Sequence, residues 1–369
     1  MLNLIHLSND SKFLDVAIDQ FKLIENVNSI FLVWATEPIK YVKQRDCVIV
    51  VQNFTEVCNF FKATLCDYVV LHGLFCPVSQ LQKINCRFIW MSWGFDIYTD
   101  KFSYKSGIIK LDLYKPLTRA FFGKKTLIKK IYYCLRWSFF NYQYRKFIET
   151  KIDYISTVYR EEFDFVKKKF NKVNFSPFRY LNVKLKAKGD FIHNGGYILL
   201  GNSCDETNNH MDILAKLESL KQNFDVIMPI SYSVNRISYK NRLLDYIKGL
   251  QYIRVHAICD FMPYEEYCQL LSKCSFAIFG HVRQQAAGNI GYALTNGLKV
   301  FLYKDSINYK HFSTMGCKLF SIEDDLTLES LASGLNHADM EKNCNIMLQN
   351  RDPEKYIGKL QNFFDSLQS

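Results

Sequence analysis

Long apolar runs are missing from this 369-residue chain. No stretch reaches the roughly 18 residues that span a bilayer, so no transmembrane helix is expected. The N-terminal MLNLIHLSND has no basic lead and starts directly on a strand-like alternation, so no signal peptide is expected. Paired cysteines are missing too. None of the 12 cysteines forms a CxxC, and most, such as Cys66, Cys134 and Cys274, lie in apolar runs. That pattern predicts reduced, buried thiols in a cytosolic protein and argues against a disulfide framework or a zinc site. There is no complete GxGxxG or P-loop. No DxD pair follows a strand: Asp112 stands alone, and Asp324-Asp325 falls in a surface turn. A metal bridging carboxylates to a diphosphate is therefore not expected, nor is any cofactor. No Ser-His-Asp or Cys-His spacing points to nucleophilic hydrolysis. Solenoid repeats and low-complexity segments are also absent.

Acids are scarce in one place. Between Lys101 and Thr150 there are 12 Lys or Arg against Asp112 and Glu149, close to the whole net charge of +11. The same stretch carries Phe121, Phe122, Tyr132, Tyr133, Trp137, Phe139, Phe140, Tyr142 and Tyr144. Three readings fit: an anionic membrane surface, a nucleic acid, or a solvated helix whose aromatics serve the core. No RNP, KH or zinc-finger pattern accompanies the stretch, so nucleic acid is not expected. The membrane reading is preferred for residues 101–150.

What is present is an alternation of strands and helices. Strands are predicted over Asn3 to Leu7, Ile30 to Trp34, Cys47 to Val51, Asp67 to Leu71, Arg87 to Met91 and Asp153 to Val158. The basic stretch reads as one long helix or two over about 126 to 149. Between about Asn171 and Asn194 the periodicity fails, which suggests an interdomain connection. A second series follows: Tyr197 to Leu200, Asp225 to Met228, Tyr252 to His256, Ser275 to Phe279 and Leu298 to Tyr303. The tail from Pro353 reads as an amphipathic helix. The pattern predicts an α/β protein with two doubly wound, Rossmann-like domains facing a cleft. Their boundaries are 1–175 and 195–350, with a C-terminal helix over 351–369. In open α/β sheets, ligands sit outside the carboxyl ends of the strands, so the loops after strands are the candidates.

The stretch from Phe279 to Asp305, FGHVRQQAAGNIGYALTNGLKVFLYKD, is the strongest of these. Arg283, Gln284 and Gln285 precede a helix whose first turns, Ala286, Ala287, Gly288 and Gly291, are bare of bulk. A helix N-terminus carries about half a positive charge and Arg283 adds a full one, which suits a diphosphate. An ordinary βαβ unit with Gly for close packing remains the plain alternative. Gly201, Asn202 and Ser203 follow the first strand of the second series and offer a second nucleotide or diphosphate seat, or else a well-capped turn. In the first domain, His72-Gly73 ends one strand and Trp93-Gly94-Phe95-Asp96 another. Asp96 reads as a catalytic or acceptor-binding acid, or else as a helix cap. His72 reads as an alternative base, or else as a structural histidine.

Taken in order, these motifs carry a resemblance. They are H-G at 72–73, W-x-x-W-G-x-D-x-Y from Trp90 to Tyr98, and G-N-S-x-D-x-x-N-x-H from Gly201 to His210. P-x-x-Y from Pro229 to Tyr232, Y-x-x-L-L-x-x-C from Tyr267 to Cys274 and R-Q-Q from Arg283 to Gln285 follow. The set resembles the bacterial TDP-N-acetylfucosamine:lipid II N-acetylfucosaminyltransferases, glycosyltransferase family 56. Cys204 departs from it, standing where Gly is expected in the Asn-Ser-Gly turn.

The resemblance implies a metal-independent GT-B glycosyltransferase. It would move a deoxy-amino sugar, such as 4-acetamido-4,6-dideoxygalactose, from a dTDP-sugar. The acceptor would be an undecaprenyl-diphosphate-linked saccharide, at the cytoplasmic face of the bacterial inner membrane, in surface polysaccharide synthesis. Gly201, Asn202, Ser203, Tyr232, Arg283, Gln284 and Gln285 become donor contacts. Gly73, Trp93, Gly94 and Tyr98 become acceptor contacts, with Asp96 first and His72 second as base. A nucleotide-sugar 2-epimerase and a non-enzymatic adaptor are the rivals from other classes.

Overall fold

In a computed structural model the described residues are 1–368, apart from 12, 36–37, 104, 106, 124–126, 182–195, 233–236 and 261. Fifteen strands are described. The first nine are β1 (Leu2–Asn9), β2 (Val27–Trp34), β3 (Val48–Val51), β4 (Tyr68–His72), β5 (Arg87–Met91), β6 (Tyr98–Asp100), β7 (Ile109–Leu111), β8 (Ile152–Ser156) and β9 (Asn174–Phe175). The others are β10 (Tyr197–Leu200), β11 (Phe224–Pro229), β12 (Ile253–Ile258), β13 (Cys274–Phe279), β14 (Lys299–Leu302) and β15 (Phe320–Ser321). The first sheet has the order β3-β2-β1-β4-β5-β8-β9 and the second β12-β11-β10-β13-β14-β15, with β6 and β7 forming a small parallel pair. Every pairing in the two main sheets is parallel. In each, the strand order reverses once, beside β1 in the first and beside β10 in the second.

Parallel sheets of this kind are covered on both faces, which is why their strands are apolar throughout rather than alternating. In the first sheet Leu4, Val70, Ile89 and Met91 face one layer, while Ile5, Leu7, Val69, Leu71, Phe88 and Trp90 face the other. The first layer is closed by two helices, Leu14–Phe21 and Pro353–Ser366. The C-terminal helix thus lies on the first sheet, through Tyr356, Leu360 and Phe364, with the Phe364 ring 5.4 Å from that of Phe21. Asn53 caps the helix Phe54–Ala63, accepting from the Glu56 amide. A polar N-cap of this type contributes about 1 kcal/mol.

The segment expected to link the domains divides in two. Asn174 and Phe175 pair with β8, and Phe178 and Leu181 are buried in the first core. Residues 182–194 lie outside the described residues. The basic stretch forms one helix, Leu127–Lys151. Its C-terminal third enters the core through Tyr144, Phe147 and Ile148, and the rest projects. Elements not anticipated are the β6–β7 pair, β9, β15 and the helices Pro116–Phe121, Ile307–Thr314, Leu328–Leu331 and His337–Asn350. No described helix is long and apolar enough to cross a membrane.

The two halves share packing. One buried cluster runs from Leu7 and Leu71 of the first sheet to Leu199 and Phe279 of the second. Tyr159, just before the helix Arg160–Lys169, stacks on His311 at 3.9 Å and donates to Asn308 Oδ1 at 3.0 Å.

Candidate active site

The second-domain site lies where β10 and β13 adjoin, because the strand order reverses there and the connections leave in opposite directions. Gly201 ends β10 at φ +69°; a Cβ there would stand 2.6 Å from Asn208 Oδ1 and 3.0 Å from His210 Nε2. Only glycine holds this turn without strain. Asn208 organises the loop. Its Oδ1 accepts the Asn202 amide at 3.1 Å, and its Nδ2 donates to Ser203 Oγ and to the Asp205 carbonyl. Ser203 is therefore turned inward and buried, while Asn202 stays partly exposed. Asp205 caps the short turn Glu206–Asn208, and Asn209 precedes the helix His210–Glu218 in the left-handed region, at φ 52°.

Beside it, the helix Ala287–Thr295 begins after β13, and its preceding residue Ala286 also has φ 59°. Alanine disfavours that region by roughly 1–3 kcal/mol. Such strain concentrates at ligand-binding loops, and here two strained helix starts converge on one crevice. Gln285 is held from both ends: Thr207 Oγ1 donates to its Oε1 at 2.6 Å, and Asn308 Nδ2 donates to its carbonyl at 3.1 Å. Arg283 stays partly exposed and donates from Nη1 to the Gln284 carbonyl at 3.1 Å. Tyr232 is exposed, and its carbonyl accepts the Cys204 amide at 2.8 Å, which sets it beside the loop after β10.

The first-domain loops meet this crevice directly. Gly94, at φ +82°, lies so close to the Arg283–Gln284 loop that a Cβ would stand 2.9 Å from Gln284 Oε1 and 3.2 Å from Arg283 Nη1. Gly73, at φ +78°, packs on the Trp93 ring in the same way, at 3.3 Å. Tyr98 donates from its hydroxyl to Glu162 at 2.6 Å and from its amide to the Gly94 carbonyl at 3.0 Å. Gly73, Trp93, Gly94, Tyr98, Arg283 and Gln284 thus form one continuous assembly.

The two base candidates are placed differently from expectation. His72 is fully buried, with Tyr180 Oη at 2.6 Å from Nδ1 and His6 Nδ1 at 2.8 Å from Nε2. Trp93 Nε1 donates to Tyr180 Oη at 2.8 Å, and His6 Nε2 lies 3.2 Å from Ser29 Oγ. One proton assignment satisfies the whole chain: Trp93 to Tyr180, Tyr180 to His72, His72 to His6, His6 to Ser29, with both imidazoles neutral. Burial agrees, pushing His72 down to about 3 and His6 well below its ordinary value. A histidine with both nitrogens spent inside the core cannot take a proton from a bound sugar. The structural alternative holds for His72, which braces Trp93 through Tyr180.

Asp96 is a strut. Its Oδ2 accepts the Leu74 amide at 2.8 Å and Trp90 Nε1 at 2.9 Å, and its Oδ1 accepts the Trp93 amide at 2.9 Å. Tyr144 Oη donates to its carbonyl at 2.7 Å. The residue is 9% exposed. Burial pushes its carboxyl up while the three N–H donors pull it down. Asp96 therefore ties the loop after β4 to the loop after β5 and sets where Trp93 and Gly94 stand.

Several residues of the site had not been singled out. Glu162 is buried between Tyr98 Oη and the Tyr159 amide, and burial pushes it up to about 7. Tyr180 lies in the stretch read as linker. Asn209 bridges the domains, donating to the Leu113 and Gly280 carbonyls and accepting the Lys115 amide. No group of three or more His, Cys, Asp or Glu that could hold a metal occurs among the described residues.

Comparison with known proteins decides the class. The family model described as 4-alpha-L-fucosyltransferase, glycosyl transferase group 56, matches residues 54–343. The chain belongs to glycosyltransferase family 56. It is a glycosyltransferase, and its two parallel-sheet domains are those of the GT-B fold. Sucrose-phosphate synthase from Thermosynechococcus elongatus aligns at a TM-score of 0.63 with 8% identity, over 100% of this chain and 99% of its own. HepE from Anabaena, solved in complex with UDP, aligns at 0.59 with 9% identity, over 99% and 100%. A glycosyltransferase from Rickettsia africae aligns at 0.57 with 9% identity, over 100% and 99%. At such identities these neighbours speak for the fold alone.

Proposed function

We propose that this glycosyltransferase moves a deoxy-amino sugar from a dTDP-linked donor to a polyprenyl-diphosphate-linked saccharide, without a metal. The observation that carries the donor half is the crevice between β10 and β13, where two helix starts converge beside Arg283. Backbone amides and a guanidinium aimed at one place suit a leaving nucleoside diphosphate, since they stabilise charge that grows as the glycosidic bond breaks. A GT-B neighbour that binds UDP supports the placement of a nucleotide in this architecture. In this reading Gly201 and Asn202 admit the nucleotide closely, Ser203 and Gln285 shape its loop, and Tyr232 borders it.

The acceptor half rests on the first domain and the helix Leu127–Lys151. Ile128, Ile131, Tyr132, Leu135, Phe139, Phe140 and Tyr142 are exposed there. From Leu113 to Ile148 there is no acid. Apolar side chains beside lysines and arginines fit the cytoplasmic surface of an anionic bilayer, where each cation contributes about 1 kcal/mol. The protein would sit there as a peripheral enzyme of surface polysaccharide synthesis, taking its acceptor from the membrane. Trp93, held by Tyr180 and Gly73, offers an aromatic face at the cleft for the acceptor saccharide.

The test is thermal stabilisation by dTDP, UDP, GDP and CMP, with and without EDTA, followed by transfer assays on a lipid-linked acceptor. Stabilisation by dTDP alone, insensitive to EDTA, is expected. A ligand at 100 times its dissociation constant stabilises by about 2.7 kcal/mol. Stabilisation by another nucleotide in place of dTDP would overturn the donor.

A further inference from the structure

We infer that a groove beside Asp96 seats the first isoprene units of the lipid-linked acceptor. The inference rests on the acceptor proposed above. The groove holds about 210 Å³ and is lined by Leu74, Cys76, Val78, Phe95, Trp137, Phe140, Tyr144 and Asp96. Asp96 is the one formal charge among these, and its oxygens are spent on three N–H groups. The walls are otherwise apolar and aromatic. The space is smaller than the roughly 300–1,000 Å³ of a whole small-molecule site, so it takes a segment of a chain, not a complete ligand.

Its position gives it direction. Trp137 and Phe140, with rings 5.5 Å apart, belong to the projecting helix, whose neighbouring Tyr132, Leu135 and Phe139 face solvent. At the other end stands Phe95, 54% exposed, between Asp96 on the groove wall and Gly94 against Arg283 and Gln284. A hydrocarbon chain entering along the helix therefore ends one residue short of the cleft. The charges fit the same amphiphile. The groove is walled by apolar and aromatic side chains, while the stretch from Leu113 to Ile148 beside it carries lysines and arginines and no acid. An isoprenoid diphosphate, apolar at one end and doubly anionic at the other, matches both. A larger groove of about 490 Å³, between the helices Phe54–Ala63 and Val78–Leu81, is lined by no residue of the cleft loops.

The experiment is photolabelling of the full chain with a benzophenone-bearing farnesyl diphosphate, followed by peptide mapping. Label within residues 74–78 and 137–144, competed by geranylgeranyl diphosphate and not by palmitate, is expected. Phe140→Ser should weaken labelling about tenfold, the loss expected when one aromatic contact with a hydrocarbon is removed. Phe140 is 47% exposed, so the variant should keep its melting temperature. A second measurement compares kcat/KM for acceptors with long and short prenyl chains, and the ratio should fall in Phe140→Ser. Label confined to 128–136 would mean general insertion into lipid and would overturn the groove, as would equal competition by palmitate. Transfer to a lipid-linked acceptor with no label in the groove defeats this inference alone. Label in the groove without transfer to any polyprenyl-linked saccharide defeats the acceptor reading alone.

Discussion

Replacing Asp96 with Asn separates two accounts of this residue. The wild-type carboxylate accepts the Leu74 and Trp93 amides and Trp90 Nε1, all between 2.8 and 2.9 Å. Hydrogen bonds to a charged group contribute roughly 1.5–3 kcal/mol each. Asparagine keeps one acceptor oxygen, which can serve the Leu74 and Trp90 pair. Its NH2 then faces the Trp93 amide, donor against donor. The change removes one charge-assisted bond and leaves a buried N–H unpaired. Relief of the buried charge offsets part of this, for a net loss of roughly 3 kcal/mol. For a domain of this size that lowers Tm by about 6–12 °C. Loosening of Trp93 and Gly94 should lower transfer at the same time, because Gly94 is what meets Arg283. The assay is differential scanning calorimetry beside initial rates well below Tm. A variant with unchanged Tm and a loss of about 10²–10⁴ in kcat would behave as the loss of a general base. That result would refute the strut.

Gly201→Ala should cost about 1–2 kcal/mol of stability and abolish nucleotide-dependent stabilisation, since its Cβ would press on Asn208 Oδ1; thermal shift with dTDP reads both. Arg283→Ala should weaken nucleotide binding about tenfold or more while leaving Tm nearly unchanged, measured by calorimetric titration. Stability should fall steeply from pH 7 to pH 5. His6, His72, His210 and His281 are all buried with depressed values, so the unfolded chain takes up protons below about 6.5 that the folded chain refuses. Glu162, raised to about 7, and Asp96, also raised by burial, work in the opposite direction, two carboxylates against these four histidines and the likewise lowered His311; a flat Tm profile would refute the neutral buried histidines. Reversing Lys129, Lys130 and Arg136 to Glu should lower binding to anionic vesicles at least about a hundredfold in low salt, read by cosedimentation.

The scaffold was legible because a parallel sheet writes itself into sequence as buried apolar runs. Arg87–Met91 and Tyr197–Leu200 fall where the pattern placed them. Elements with few residues in contact left no such trace. Phe320–Ser321 makes a strand from two residues, and Tyr98–Asp100 is a strand only because Ile109–Leu111 returns beside it. The helix His337–Asn350 buries only Asn343, Cys344 and Met347, too few for a clear apolar face.

The loops that the fold brings together at the candidate site were legible in sequence, the partners of their side chains were not, and the reason is physical. A loop after a strand can be found from one stretch of chain, whereas a side chain's role depends on what faces it from elsewhere. Asp96 reads as a free carboxylate until Leu74, 22 residues away, supplies an amide to it. His72 reads as a base until Tyr180, 108 residues away, takes its ring. Asn209 looks like a helix cap, yet it holds Leu113 and Lys115 across 94 to 96 residues. That last contact joins two things the chain keeps apart. Asp212 extends the grip, accepting the Leu117 and Thr118 amides and the Thr118 hydroxyl. Lys115, Leu117 and Thr118, which precede the projecting helix in sequence, are therefore fastened to the second domain, while the helix's own C-terminal third is buried in the first. The basic stretch that sequence alone assigns to a surface is, in the folded chain, joined at Leu113 and Lys115 to Asn209, which follows β10 in the second domain.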